Sequence, residues 1–260
     1  MRELAEQHGI PCLTSDINLP ENVERVRSLA PAFIFSFYYR NMISAELLAI
    51  PRLGALNLHG SYLPRYRGRV PVNWAVINGE TETGATLHYM VAKPDAGDIV
   101  DQERIEIAFS DTAQDVFGKV TDAAVRVIAR AWPLLRNGKA ARIPMDLAEG
   151  SYYGGRKPDD GLIDWTQSAV RIYNLIRGVT HPYPGAFTWL GGKKLTIWQA
   201  WPVEGQGVPG QIMSQSPLLV ATGQGALEIR SLQFEGGQEC AAAEFVVQNS
   251  MPITSFQENP

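Results

Sequence analysis

The hydrophobic rhythm of the chain divides it into two parts. Residues 32–39 form an unbroken apolar and aromatic run, the pattern of a strand buried on both faces. Residues 55–58 read the same way, while 83–90 and 99–107 alternate with period two, as half-buried strands do. Helical spacings lie between them. Residues 1–8 look like the end of an amphipathic helix stopped by Gly9, and 10–13 is short and strand-like. In 19–29, Val23, Val26 and Leu29 recur every three residues behind Pro20. Residues 44–50 and 71–78 predict short helices, and 112–135 predicts a long one with Asp111 as its N-cap. Strands alternating with helices through short loops predict an α/β layer with a largely parallel sheet.

After Gly138 the rhythm changes. Residues 148–160 are rich in Gly, Tyr, Asp and Pro and read as a linker or surface loop. One more helix is expected over 168–179. Short strands follow at 186–190, 195–200, 210–214, 218–221 and 226–234, with glycine turns at 191–192 and 223–225. That spacing predicts a small β-barrel or related sheet. The expected division is an α/β unit over 1–145, a linker over 146–160 and a β unit over 161–260. The polar tail, 249–260, is expected to be loose.

Composition narrows the function classes. The 260 residues are 45% hydrophobic, enough for one large domain or two ordinary ones. The net charge of −4 disfavours non-specific nucleic-acid binding. Cys12 and Cys240 lie far apart and make neither a disulfide scaffold nor a zinc site, which fits a reducing cytoplasm. No run of about 18 apolar residues predicts a membrane span, and the N-terminus has no apolar signal core. No His/Cys/Asp/Glu set has metal spacing. Neither a Gly-x-Gly-x-x-Gly nor a Walker loop occurs.

Candidate chemistry gathers at one strand end. Period two puts Asn57 and His59 on the same face of the strand at 55–58. They sit at its C-terminal end, where open α/β sheets hold their active sites. Asp95, before the small-residue turn Ala96-Gly97, has two readings: a turn-forming aspartate, or a carboxylate that returns to His59 to fix its tautomer and raise its pKa. Arg65, Arg67 and Arg69 are either a solvated face or an anion site built of guanidinium forks. Residues 181–187 are a rigid proline turn or an aromatic pocket wall. His8 and His88 read as incidental, and 78–84 as a plain turn into a strand.

These residues carry a resemblance. Asn57-Leu-His59-Gly-Ser-Tyr-Leu-Pro64, Arg67-Gly68, the Gly84-Ala-Thr-Leu-His run and Asp95-Ala-Gly97 are similar to the 10-formyltetrahydrofolate-dependent formyltransferases. Within that family, Phe35 to Arg40, Tyr66 to Trp74, 78–84 and Pro182 to Phe187 resemble the formyltransferase part of the bifunctional UDP-4-amino-4-deoxy-L-arabinose enzymes of lipid A modification and polymyxin resistance. The resemblance covers residues 2 to about 248. It implies a Rossmann-like α/β domain followed by an OB-like β-barrel. It implies 10-formyltetrahydrofolate as co-substrate and no metal. It also implies a catalytic trio of Asn57, His59 and Asp95. Folate would rest on Asn41, Met42, Ile43, Arg69 and the loop Val91, Ala92, Lys93, Pro94, Asp95. Arg65 and Arg67 would suit a nucleotide diphosphate. The implied acceptor is a small nucleotide-linked amino sugar, with no membrane or nucleic-acid partner.

Two departures accompany the resemblance. The family opens with a β-α-β unit of roughly 30 residues before the helix that 1–8 resembles. Its bifunctional members also carry a decarboxylase that this chain lacks. A fragment or an internal start is therefore expected, poorly stable or inactive alone, unless self-association or a lost domain completes it. Three alternatives stay open: methionyl-tRNA formyltransferase, a formyltransferase for another nucleotide-linked amino sugar, and an inactive folate-binding remnant.

Overall fold

The computed structural model describes residues 2–248 and 255–257. Helix α1 (Arg2–Gln7) is short and buries none of its side chains. Helix α2 (Pro20–Leu29) starts on a proline whose missing N–H costs nothing there, and it buries Asn22 and Val23. Strand β1 (Phe33–Phe37) leads to α3 (Ala45–Leu48), capped by the Ser44 hydroxyl, which accepts from the Leu47 N–H. Then come β2 (Gly54–His59), a two-residue strand β3 (Arg67–Gly68), α4 (Pro71–Ile77), β4 (Glu82–Tyr89), β5 (Ile99–Glu106) and α5 (Ala113–Arg136). The sheet order is β1-β2-β4-β5.

The direction of the strands differs from expectation. Only β1 and β2 run parallel; β2–β4 and β4–β5 are antiparallel. The reason lies in α4. It is no sheet-covering crossover but a seven-residue helix held on a later helix, and β4 and β5 form a hairpin over residues 90–98. Residues 10–13 also differ: they are exposed, irregular chain with no strand partner among the described residues.

Helix α5 seals one face of the sheet. Its buried positions, Val116, Val120, Ala124, Val127 and Ala131, repeat every three or four residues and join Leu56, Leu58 and Leu87 in one core. Each fully buried valine contributes roughly 1.5–3 kcal/mol. Thr112, not Asp111, is the N-cap: its hydroxyl accepts from the Asp115 N–H while Asp115 accepts from the Thr112 N–H, a capping box. Asp111 instead accepts from the Ala108 N–H and pairs with Lys119.

Residues 146–160 are not a free tether. Strand β6 (Tyr152–Tyr153) pairs in parallel with β3. Helix α6 (Ala169–Val179) then packs on α4, where the Asn73 amide donates to the Gly178 carbonyl at 2.8 Å. The rest is antiparallel: β7 (Ala186–Leu190), β8 (Lys193–Val203), β9 (Ile212–Gln215), β10 (Leu218–Ala221), β11 (Ala226–Phe234), β12 (Cys240–Ala241), then α7 (Ala242–Gln248). The strand order is β7-β8-β11-β10-β9, with β12 beside β11. Residues 255–257 close the row: Gln257 bridges Trp189 in β7, and Ser255 bridges Gln211 next to β9. Phe256 is buried against Trp165. That part of the expected loose tail is therefore fixed; 249–254 and 258–260 lie outside the described residues.

Candidate active site

Strand β2 alternates as its sequence requires. Leu56 and Leu58 point into the α5 core, so Asn57 and His59 share the other face. The register then adds a residue that sequence reasoning set aside. Asn57 lies directly opposite His88 in β4, so His88 reaches the same face and is not incidental. The signal was present: 83–90 alternates, and once it pairs with β2 its alternate residues must face Asn57 and His59.

Asp95 arrives from the 90–98 loop. That loop starts beside the beginning of β2, where the Met90 N–H donates to the Ala55 carbonyl, and folds back along the strand. Two backbone features permit this. Asp95 is left-handed at φ +47°, at a cost of about 1–2 kcal/mol. At Gly97 a Cβ would lie 2.0 Å from the Tyr89 carbonyl oxygen, so only glycine allows the loop to lie so close to β4. Asp95 Oδ2 accepts from the Gly68 N–H at 2.9 Å. Oδ1 accepts from Asn57 Nδ2 at 3.3 Å and lies 3.6 Å from His59 Nδ1 and 3.5 Å from His88 Nε2. The structure thus brings Asn57, His59 and Asp95 together on one face of the sheet.

Two carbonyls set the tautomers. His59 Nε2 lies 2.8 Å from the Tyr66 carbonyl, and His88 Nδ1 lies 2.9 Å from the Tyr89 carbonyl. A carbonyl only accepts, so each of those nitrogens carries the proton. In the neutral rings, the bare nitrogens are His59 Nδ1 and His88 Nε2, and both face Asp95. His88 Nε2 accepts from Asn57 Nδ2 at 3.3 Å. A proton added to either bare nitrogen creates an N–H aimed at the carboxylate.

The electrostatics agree in part with expectation. Burial pulls the His59 pKa down and His88 adds to this; Asp95 pulls it upward, as expected, and so does the Tyr66 carbonyl, but burial wins. His59 is neutral at neutral pH and its Nδ1 is available as a base. Burial pushes Asp95 up, but its contacts with His88, His59 and the Gly68 N–H outweigh that and hold it at about 2. Tyr66 is kept protonated by burial and by its hydrogen bond to Glu80.

The three arginines separate. Arg65 pairs with Glu80 at 2.6 Å, so its charge is spent. Arg67 is buried, and its Nε has no acceptor. Arg69 is exposed and donates to the Arg40 carbonyl at 3.3 Å, which brings it to the loop holding Asn41, Met42 and Ile43. Asn18 braces that loop on both sides: it donates to the Met42 carbonyl and accepts from the Ser44 N–H. Val91, Ala92 and Lys93 are exposed and Pro94 is half-buried, in the chain leading into Asp95. Residues 78–84 do more than turn: Asn78 donates to the hydroxyls of Tyr66 and Tyr153. In the 181–187 segment His181 stacks on Trp198 and pairs with Glu239, while Tyr183 packs against the cores of both units. Among the described residues no His/Cys/Asp/Glu group could hold a metal ion, and no helix is long and apolar enough to cross a membrane.

Comparison with known proteins agrees with this architecture. The formyl transferase family model matches residues 4–132, and the model of the formyl transferase C-terminal domain matches residues 156–250. Among solved structures, HypX from Aquifex aeolicus in complex with tetrahydrofolic acid superposes with a TM-score of 0.67 at 20% identity, over 90% of this chain and 42% of that one. The chain therefore spans less than half the length of HypX. An N-formyltransferase from Helicobacter canadensis, in complex with folinic acid and dTDP-3-aminofucose, gives 0.70 at 18% identity, over 92% of this chain and 82% of the other. A 4-N formyltransferase from Francisella tularensis gives 0.60 at 24% identity, over 70% and 72%. With the two family models side by side along its length, this chain belongs to the formyltransferase family.

Proposed function

We propose that this chain transfers the formyl group of 10-formyltetrahydrofolate to the amine of a nucleotide-linked amino sugar, with UDP-4-amino-4-deoxy-L-arabinose as the acceptor, in lipid A modification. The observation that carries the reaction type is the meeting of Asn57, His59 and Asp95 on one face of β2, with His59 Nδ1 left bare. The acceptor class rests on the resemblance of residues 66–74 and 182–187 to the arabinose enzymes. The dTDP-amino sugar in the Helicobacter protein supports it.

The proposed donor site suits the flat pterin end of the folate. Met42 and Val91 leave apolar surface exposed on the two loops beside the trio, and backbone groups of 41–43 and 91–95 are within reach of a pterin edge. Arg69 stands beside the first of these loops. In the reaction a bond forms between the amine nitrogen and the formyl carbon, and the bond from that carbon to folate N10 breaks. Asn57 turns an amide N–H from His88 to the developing oxyanion. His59 Nδ1 takes the amine proton, Asp95 and the Tyr66 carbonyl favour the resulting charge, and the proton passes to the leaving nitrogen. No covalent bond to the protein is needed.

The test is a formyl-transfer assay with UDP-4-amino-4-deoxy-L-arabinose, dTDP-amino sugars and initiator methionyl-tRNA as rival acceptors. Turnover with the arabinose nucleotide, reduced by about 10²–10⁴-fold in His59→Ala with folate binding intact, is the expected result. Preference for another acceptor would reassign the substrate. Wild-type turnover in His59→Ala would remove the proton-transfer role.

A further inference from the structure

We infer that His88 is a positioning residue of the reaction: it fixes which way round the Asn57 amide sits, beside Asp95, before any substrate arrives. The inference rests on the roles given to Asn57 and His59 above and adds to them the residue that sets the first.

Strand β4 sends Ala85 and Leu87 into the α5 core, so Thr86 and His88 share the face of Asn57 and His59. The strand pairing is interrupted at this point. Asp101 stands opposite Leu87, but Ile99 stands opposite His88, so β5 carries Val100 as an extra residue. Such bulges re-aim side chains and gather beside active sites. Only 1% of His88 reaches solvent. The titratable side chains that face it are Asp95 from the 90–98 loop and His59 from β2.

A buried imidazole is costly unless its nitrogens are used. The Nδ1–H of His88 donates to the Tyr89 carbonyl at 2.9 Å, which pins the ring and leaves Nε2 as an acceptor. Nε2 stands 3.3 Å from Asn57 Nδ2 and 3.5 Å from Asp95 Oδ1, and Asn57 Nδ2 stands 3.3 Å from the same Oδ1. The three atoms form a nearly equilateral triangle with one donor in it. The carboxylate and the bare imidazole nitrogen both accept, so the amide must turn its nitrogen to them and its oxygen away. One acceptor would let the amide swing about a single contact; two acceptors set its plane. The N–H that His88 holds is the one passed to the developing oxyanion, so His88 keeps that donor aimed until it is needed.

The test compares the wild type with His88→Gln, His88→Asn and His88→Leu. It combines formyl transfer across a pH range, thermal unfolding, and NMR of the isotope-labelled Asn57 side-chain amide in the unliganded protein. Gln carries an acceptor where Nε2 stood. Asn keeps the bond to the Tyr89 carbonyl but does not reach Asn57, and Leu makes neither contact. His88→Asn and His88→Leu should lower kcat by about 10–100-fold with KM little changed, a smaller loss than removal of the oxyanion donor itself. His88→Gln should recover most of that rate. The Asn57 amide should give two separate, slowly exchanging N–H signals in the wild type and in His88→Gln, and a faster-exchanging pair in the other two. Burial and, behind it, His88 pull the His59 pKa down. Loss of the imidazole should therefore move the acid limb of kcat/KM to higher pH in all three variants. Wild-type turnover in His88→Leu, equal turnover in His88→Gln and His88→Asn, or an unmoved acid limb would make His88 a filler of the fold and overturn the proposal. Should His88→Leu fail to fold, the Gln and Asn pair decides. Should the wild type formylate no acceptor, the function reading fails, and the NMR comparison of that pair decides the positioning by itself.

Discussion

At the scale of the residue, the site gathers polar groups around one buried carboxylate. Asp95 faces two bare imidazole nitrogens and one amide N–H, and each ring's other nitrogen is committed to a main-chain carbonyl. The pH dependence follows. With His59 as the proposed base, activity should rise as pH climbs through its pKa, because only the neutral ring accepts a proton. Burial has lowered that pKa, and Asp95 is what resists the fall. Asp95→Asn removes the resistance, so the acidic limb of kcat/KM against pH should move to lower pH while kcat drops. An unmoved limb would show that Asp95 does not tune His59. Asn57 and His59 were legible in the sequence because period two in a strand fixes their common face. Asp95 was legible only as one of two readings, because loop closure over 90–98 depends on contacts with β4 and Gly68. His88 was lost because its partner across the sheet is set by register, which a single strand does not encode.

At the scale of the element, the site depends on backbones that approach closely. Gly68 sits at φ +99°, a Cβ there would lie 2.2 Å from the Tyr153 carbonyl oxygen, and its N–H is the donor that holds Asp95. Gly68→Ala should therefore separate β3 from β6 and release Asp95, losing activity and stability together. A Gly68→Ala protein with wild-type turnover would mean that the β3–β6 pair does not position the site. Helix α5 offers the opposite case, a change felt in stability alone. Thr112→Ala removes its N-cap far from the reacting groups and should cost about 1 kcal/mol by denaturant midpoint, with turnover retained. The helix itself was plain from its apolar spacing; its cap was misplaced by one residue because Asp111 and Thr112 are both good capping residues. Strand direction was not legible at all. A helix between two strands suggests a parallel return, but α4 is occupied by α6, and the chain comes back antiparallel.

At the scale of the whole molecule, the two units are joined by buried polar contacts. The Asn73 amide donates to the Gly178 carbonyl, Arg171 donates to the Ile77 carbonyl, and Ile77 fits against Gly178. Asn73, within the 66–74 stretch that resembles the arabinose enzymes, thus acts in the fold as a clasp. Asn73→Ala leaves a buried carbonyl unpaired and should cost about 1–3 kcal/mol, with the two units beginning to melt separately. A single unshifted transition would count against the clasp. Closure of the barrel by 255–257 could not be read from the sequence, since a short polar tail carries no periodicity. That closure has a consequence for how the protein behaves at high concentration. Residues 255–257 bridge both ends of the β7–β9 row, whereas the other sheet ends on one side at β1, a run of Phe-Ile-Phe-Ser-Phe with no second neighbour among the described strands. Of the two edges of that sheet among the described strands, β1 and β5, the apolar run Phe33–Phe37 is the more natural starting line for aggregation, and charged substitutions made there are the ones that would keep concentrated solutions clear.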